Sequence, residues 1–118
     1  MTLSYKDAVD DLLAAVPVFG RISSEWDRDL PHEVFGTFAL RLCDAIRRGD
    51  QPSLVEPGLR FLEQMANSVD DDVVNLLVVS VLEILVDEPA CRQACHEAGG
   101  EKMRALLKRV AEGWRPAS

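Results

Sequence analysis

Two cysteines and a histidine in the C-terminal third are the side chains best suited to metal chemistry. Cys91 and Cys95 are four residues apart, and His96 follows directly. On a helix this spacing places both sulfur atoms on one face, where two thiolates could hold zinc. A structural zinc site needs two further ligands, and only Cys43 and His32 remain as soft candidates. Since helical cysteines are usually small core residues, we expect neither a metal nor a cofactor.

His32 and Glu33 could act together as an acid–base pair. Further carboxylates stand shortly upstream, at Glu25, Asp27 and Asp29. A histidine directly after Pro31 is more simply explained as a residue of the first helical turn that packs or caps. The sequence contains no glycine-rich phosphate loop, nucleophile elbow or Cys/His catalytic signature. We therefore expect a protein that is not an enzyme.

Acidic residues outnumber basic ones. The chain of 118 residues has 13 Lys and Arg against 20 Asp and Glu, a net charge of −7. Nucleic-acid affinity rests mainly on cationic contacts to phosphate, so this balance disfavours a nucleic acid as ligand, and it disfavours an anionic membrane surface as well. Residues 61–91 contain no Lys or Arg. Their acidic residues are Glu63, Asp70, Asp71, Asp72, Glu83, Asp87 and Glu88.

The cluster from Asp70 to Asp72 has two explanations. Aspartates cap helix N-termini and complement the helix dipole, but one suffices for that, and three in a row repel each other. The alternative is a surface for a basic partner, where complementary charge raises the association rate and improves selectivity. The candidate partner-binding residues are Trp26, Asp27, Asp70, Asp71, Asp72, Asn75, Asp87 and Glu88.

Trp26 stands among acidic residues in the segment SEWDRD. An aromatic side chain on a loop could anchor a protein interface, because tryptophan is enriched among the residues that dominate binding energy. The alternative is that Trp26 covers one end of the hydrophobic core. The sequence leaves both roles open.

The segment DDDVVNLLVVSVLEILVDEP, residues 70–89, is predicted to form the most buried helix. Its apolar residues do not alternate, and the pattern is too long for most strands. Polar residues interrupt it too early for a transmembrane helix, which needs about 20 apolar residues. At 100° per residue the polar side chains form one narrow stripe on an otherwise apolar helix. That stripe contains Asp72, Asn75, Ser80, Glu83 and Asp87, accompanied by Leu76 and Val79.

Serine, proline and glycine mark the ends of the earlier predicted helices. Ser4 can cap a first helix, which Pro17 ends or bends. Pro31 and Gly49 suit the first turn and the C′ position of a long later helix. The segment between these two helices, residues 17–30, is ambiguous and could hold a short second helix.

The remaining segments also predict helices. SLVE at residues 53–56 is a capping box, and a short helix opens at Pro89 and closes at Gly99. The last helix presents an apolar stripe that reaches Trp114. No segment predicts a strand, so we expect an all-α fold. The prediction is one compact domain over residues 1–118, with six or seven short antiparallel helices.

The stretch from Gly58 to Leu85 resembles one helical pair of a HEAT or armadillo repeat. It has an apolar first helix, a short acidic turn and a valine-led second helix, and FLE at residues 61–63 is echoed by VLE at residues 81–83. The resemblance implies a HEAT-like arrangement of these helices.

Four motifs carry a second resemblance. LPHEVFGTF (residues 30–38), RRGD (47–50), FLEQM (61–65) and VLEIL (81–85) recur in this order in a family of small bacterial helical proteins of uncharacterised function. That family looks like the immunity proteins encoded beside polymorphic toxins. The resemblance implies neutralisation of a cognate toxin by tight binding that occludes its active site, and it implies no catalytic residues. The alternative is a non-enzymatic adaptor or regulatory interaction domain.

Cysteine content and the N-terminus bear on the compartment. Three cysteines, an odd and low number, fit a reducing cytoplasm better than a disulfide framework. Asp7, Asp10 and Asp11 stand where a secretory signal would need its apolar core. We therefore expect a cytoplasmic protein, more readily a monomer than an oligomer. Its expected partner is a cognate toxin with a basic surface, and neither nucleic acid nor a membrane.

Overall fold

The computed structural model describes residues 3–22, 26 and 29–114, and seven helices lie within these ranges. They are α1 (Ala8–Ala15), α2 (Pro17–Gly20), α3 (Pro31–Arg48), α4 (Pro52–Ala66), α5 (residues 71–85), α6 (Pro89–Ala98) and α7 (Glu101–Ala111). The described ranges contain no β-strand, so the predicted all-α class is confirmed. None of the helices in these ranges has the length and apolar character needed to cross a membrane.

The core draws side chains from all seven helices and centres on four phenylalanines. Phe19 of α2, Phe35 and Phe38 of α3, and Phe61 of α4 are buried. The Phe38 ring meets Phe19 edge-on with 5.2 Å between centroids, and the Phe35 and Phe61 centroids are 6.3 Å apart. Full burial of one such side chain stabilises a fold by about 1.5–3 kcal/mol. This aromatic group therefore holds α2, α3 and α4 together.

Two glycines set the geometry between α3 and α4. Gly49 ends α3 in the left-handed conformation with φ 70°, which confirms the predicted helix end. Gly58 lies in α4 against α3, where an added Cβ would be 3.1 Å from Cζ of Phe38 and 3.3 Å from Cδ1 of Leu42. The missing side chain thus allows the two helices to approach closely.

The starts of two helices differ from the sequence predictions. α4 begins at Pro52, whose fixed φ suits a first helical position, so Ser53 is its second residue and the predicted capping box is wrong. The N-cap is Gln51, with φ 55° and no side-chain cap. α1 begins just after Asp7, so Ser4 is not its N-cap. Instead, the N–H of Asp7 donates to the carbonyl of Ser4 at 3.2 Å and closes a separate turn.

The ambiguous segment contains one short helical turn. Pro17 separates α1 from α2, and α2 ends at Gly20. At the other end of the chain, α7 ends at Ala111, so Trp114 lies beyond the helix that was predicted to include it. Its indole ring is half-buried, and the guanidinium of Arg109 lies 3.9 Å from the ring centroid. The cation–π contact continues the apolar side of α7 past the helix end.

The predicted central helix is confirmed as α5, but its middle turn is wider than an α-helix. Residues Asp71–Leu77 are α-helical, Val78–Leu82 form a π-helical turn, and Glu83–Leu85 return to α-helix. A π-turn has i→i+5 hydrogen bonds and so holds more residues per turn than an α-helix. Side chains after the π-turn therefore lie on a different side of the helix than they would in a regular α-helix.

This wide turn corrects the predicted polar stripe. Leu76 and Ser80, both assigned to the stripe, are buried. One row of solvent-facing residues follows a spacing of three, four, four and four residues, longer on average than 3.6. It consists of Asp72, Asn75, Val79, Glu83 and Asp87; Val74, Ile84 and Val86 beside it are half-buried as well. The error arises because a rotation of 100° per residue does not hold through a π-turn.

Candidate functional site

The three cysteines lie together inside the fold. All three are buried, and the Sγ of Cys91 donates to the backbone carbonyl of Cys43 at 3.4 Å. Burial, and then the neighbouring Cys43, raise the pKa of the Cys95 thiol to about 12, and burial likewise raises the pKa of Cys91. Metal ligation requires the thiolate, which this environment disfavours. Within the described residues no group of three or more His, Cys, Asp or Glu side chains is placed to hold a metal ion.

His32 has a partner that the sequence did not indicate. Its Nδ1 lies 2.6 Å from the Oγ of Ser80, and the ring centroid of Tyr5 lies 6.4 Å from that of His32. Ser80 belongs to the π-turn of α5 and is only 7% exposed. A serine bonded to a histidine can be a nucleophile, but this hydroxyl is too deeply buried to reach a substrate. The pair instead fastens the first turn of α3 to the middle of α5.

Sequence analysis missed Ser80 because the assumed α-helical rotation placed it towards solvent. One signal was available: Ser80 is the only polar residue between Leu76 and Leu82. A polar side chain in the middle of such an apolar run is expected to need a hydrogen-bond partner when it is buried.

Asp70 has a structural role that accounts for one of the three adjacent aspartates. It is the N-cap of α5, and its Oδ1 accepts from the backbone N–H of Asp72 at 2.9 Å. Its Oδ2 accepts from the backbone N–H of Tyr5 at 3.0 Å. Asp70 therefore caps α5 and ties the N-terminal segment to it. Asp71 and Asp72 project into solvent at the start of α5.

The solvent side of α5 carries a row of residues from Asp72 to Glu83, and Asp87 follows in the turn after the helix. We call this row the acidic ridge: it comprises Asp71, Asp72, Asn75, Val79, Glu83 and Asp87. Val79, in its middle, is 39% exposed and apolar. The helix that carries the ridge, residues 71–85, is about 22 Å long at 1.5 Å per residue, and Asp87 lies two residues beyond its end. The structure thus aligns four of the predicted partner-binding residues, Asp71, Asp72, Asn75 and Asp87.

Asn75 and Glu88 differ from the solvated aspartates in their surroundings. The Oδ1 of Asn75 is buried and has no hydrogen-bond partner among the described residues. Glu88 is the N-cap of α6 and its Oε2 lies 3.8 Å from the Nε of Arg47 on α3. Part of the Glu88 charge is therefore compensated within the fold, although an exposed pair of this kind contributes little stability.

Trp26 belongs to a second surface, which includes no residue of the acidic ridge. Its ring stacks on Phe19 with 4.5 Å between centroids and an angle of 25°, so it covers the core. It also lines a cleft of about 520 Å³ on the outer side of α3. The cleft is further lined by His32, Glu33, Gly36, Thr37 and Leu40. Asp27, the remaining candidate, lies outside the described residues.

Leu40 is the second feature that sequence analysis missed. It is 61% exposed, although it belongs to the long helix α3. The sequence signal was its place on the same helical face as the polar residues Thr37 and Asp44, three and four positions away. A single exposed leucine is ordinary, but one beside a cleft is a candidate contact residue.

Comparison with known proteins places this chain in a family. Residues 9–115 match the family described as "Domain of unknown function (DUF7674)". The chain belongs to the DUF7674 family. The matched range of this DUF7674 domain contains both the acidic ridge and the cleft on α3, so both surfaces are parts of the family's own domain. No curated protein and no solved structure matches the chain.

Proposed function

We propose that this protein is an immunity-type inhibitor, which binds a cognate bacterial toxin in the cytoplasm and occludes the toxin's active site. The acidic ridge carries the proposal. It is a line of carboxylates on one side of the most buried helix, in a stretch of chain that contains no Lys or Arg. The partner is a protein with a basic surface, as nuclease-type toxins often have, and the inhibitor needs no catalytic residue of its own.

Electrostatics support this function in preference to simple solubility. Asp70 already caps α5, so Asp71 and Asp72 are not needed as caps. At physiological salt the Debye length is about 8 Å. The charges of the ridge therefore attract a basic surface only when that surface comes within about this distance. A row of like charges raises the association rate with a basic partner and disfavours acidic competitors.

The shape of the ridge also supports protein binding. Protein interfaces commonly have an apolar centre and a polar, solvated rim. The ridge has a similar arrangement: the exposed apolar residue Val79 lies between its charged ends. The length of the helix that carries the ridge, about 22 Å, is compatible with a standard interface that buries about 800 Å² on each partner. The matching toxin surface has an apolar residue flanked by Lys or Arg.

The alternative function is a non-enzymatic adaptor or regulatory domain. The cleft on α3 favours it, because a protein with two separate contact surfaces can join two partners. In that case the ridge binds a basic protein that is no toxin. Both functions use the ridge for binding. They differ in the activity of the partner, which is a toxin only if the protein is an immunity-type inhibitor.

The proposal predicts that a toxin domain is encoded beside this protein, and that domain is the partner for the test. The toxin is co-expressed with the wild type, with Asp71→Lys and Asp72→Lys together, or with a control carrying Glu56→Lys and Glu112→Lys. Both variants change the net charge equally, but the control residues are exposed and lie off the ridge. We expect growth with the wild type and the control, and reduced growth with the ridge variant. An absence of protection by the wild type would contradict the immunity function.

A further inference from the structure

The outer side of α3 carries two charged residues that pair with no described residue, beside an exposed apolar residue. Glu33 and Arg41 are exposed and form no ion pair with any described residue. Leu40, 61% exposed, stands next to Arg41. Neither charged residue is buried or engaged in the core, so both side chains are available to contact another protein. We call Glu33, Gly36, Thr37, Leu40 and Arg41 the outer face of α3.

The charges of the outer face are self-complementary. Glu33 and Arg41 lie four residues before and four residues after Thr37. If two copies of α3 run antiparallel with Thr37 on a twofold axis, Glu33 of each copy lies opposite Arg41 of the other. A twofold interface brings the same patch of each copy together, so both ion pairs form at once. The two pairs lie about 12 Å apart along the helix.

The shape of the face fits the same register. Antiparallel packing about Thr37 places Leu40 of one copy opposite residue 34 of the other, where the cleft of about 520 Å³ lies. Gly36, on the wall of that cleft, has no atom within 4 Å of the position of an added Cβ. The exposed leucine of each copy therefore has an open recess to enter, with the buried Val34 opposite it and His32, Glu33 and Thr37 as polar walls, at the 8–10 Å separation usual for packed helices.

Net charge opposes association of two copies, but the outer face of α3 contributes one acidic and one basic residue, which cancel. Each chain carries −7, which repels a second copy over long range. Residues 31–60 nevertheless contain four acidic and four basic residues, and the excess negative charge lies in residues 61–91. The outer face of α3 includes no residue of the acidic ridge. The five residues of the outer face, with one Glu and one Arg, thus have no net charge of their own.

We propose that two copies of this chain form a twofold-symmetric dimer through the outer face of α3, with reciprocal Glu33–Arg41 ion pairs and Leu40 of each copy in the cleft of the other. This dimer replaces the sequence-based expectation of a monomer. It is independent of the toxin-inhibitor function, and it leaves the ridge residues of both copies outside the contact.

Sedimentation velocity from micromolar to millimolar concentration tests the dimer with four variants. Glu33→Arg alone creates two Arg–Arg contacts, and Arg41→Glu alone creates two Glu–Glu contacts, so each variant should stay monomeric where the wild type dimerises. An equimolar mixture of the two should form a heterodimer, because each copy then supplies the opposite charge at both sites. Leu40→Asp should abolish association, whereas Val69→Asp, which changes a valine that is 83% exposed elsewhere, should not.

A second measurement does not depend on charge. Thr37→Cys places two thiols across the axis, and mild oxidation should join them into a covalent dimer, while the buried native cysteines do not react. Circular dichroism verifies that each variant is folded. A wild type that remains monomeric at millimolar concentration overturns the proposal, and the outer face must then serve a different protein. The proposed register is overturned if both charge variants, Glu33→Arg and Arg41→Glu, still dimerise alone. It is also overturned if these two variants fail to associate when they are mixed.

Discussion

The Nδ1 atom of His32 lies 2.6 Å from the Oγ atom of Ser80, which joins the first turn of α3 to the π-turn of α5. The two residues are 48 positions apart in the chain. A buried hydroxyl needs such a partner, since burial without one costs free energy. The contact explains why a polar residue is tolerated at the centre of the most apolar helix.

This contact predicts a measurable stability loss. Ser80→Ala removes the hydrogen bond but keeps a small side chain on the π-turn, and we expect the free energy of unfolding to fall by about 0.5–1.5 kcal/mol. Urea unfolding measures the change. The control is His96→Ala, an exposed histidine on α6, for which we expect less than about 0.5 kcal/mol. Equal effects of the two substitutions would show that the His32–Ser80 contact contributes nothing.

Two glycines provide a matched test of helix packing. Gly58→Ala introduces a methyl group 3.1 Å from Phe38, and overpacking of this kind costs about 1–3 kcal/mol. That cost exceeds the gain of up to about 1 kcal/mol in helix propensity. Gly36→Ala has the same propensity gain and meets no atom within 4 Å. At low protein concentration we therefore expect Gly58→Ala to lower the melting temperature and Gly36→Ala to raise it.

The buried thiols predict a dependence of stability on alkaline pH. The pKa of Cys95 is raised from 9.0 to about 12, mainly by burial, so between these values the unfolded chain releases a proton that the folded chain retains. The unfolded state then binds fewer protons, and the free energy of unfolding falls as pH rises above 9. In Cys95→Ala, the free energy of unfolding should fall less steeply as pH rises above 9. Unfolding curves recorded at a series of pH values measure this slope. An unchanged slope would contradict the assignment.

The same environment predicts inert thiols and no zinc. At neutral pH the native protein should react slowly with thiol reagents and fully only after denaturation, because the thiolate is the reactive form. Cys91→Ala with Cys95→Ala should destabilise the fold as ordinary core truncations do. Elemental analysis that finds one zinc per wild-type chain, lost in the double variant, would instead make these cysteines metal ligands.

The aspartates at the start of α5 should separate into structural and surface residues. Asp70→Ala removes the cap of α5 and the acceptor of the Tyr5 N–H, so we expect a loss of about 1–2 kcal/mol in the free energy of unfolding. Asp71→Lys with Asp72→Lys should change it by no more than about 0.5 kcal/mol for each residue. With the toxin, the double lysine variant should associate about tenfold more slowly at low salt, and the difference should shrink as salt rises. Unchanged kinetics would leave these two residues as solvated surface only.

Local signals in the sequence determined the helices. Apolar patterning identified α5 and α7, and Pro31 and Gly49 marked the ends of α3, because proline and glycine act on the backbone of their own turn. The candidate acidic residues were also visible, since charge is a property of composition.

The tertiary structure alone decided which distant residues meet. It brought Ser80 to His32 and Asp70 to Tyr5, contacts that span 48 and 65 positions of the chain. It also widened α5 into a π-turn, which rotated Ser80 inward and left Val79 in the middle of the acidic ridge. Periodicity cannot predict such a turn, because its cost is balanced by packing and hydrogen bonds from other helices rather than by residues of α5 itself.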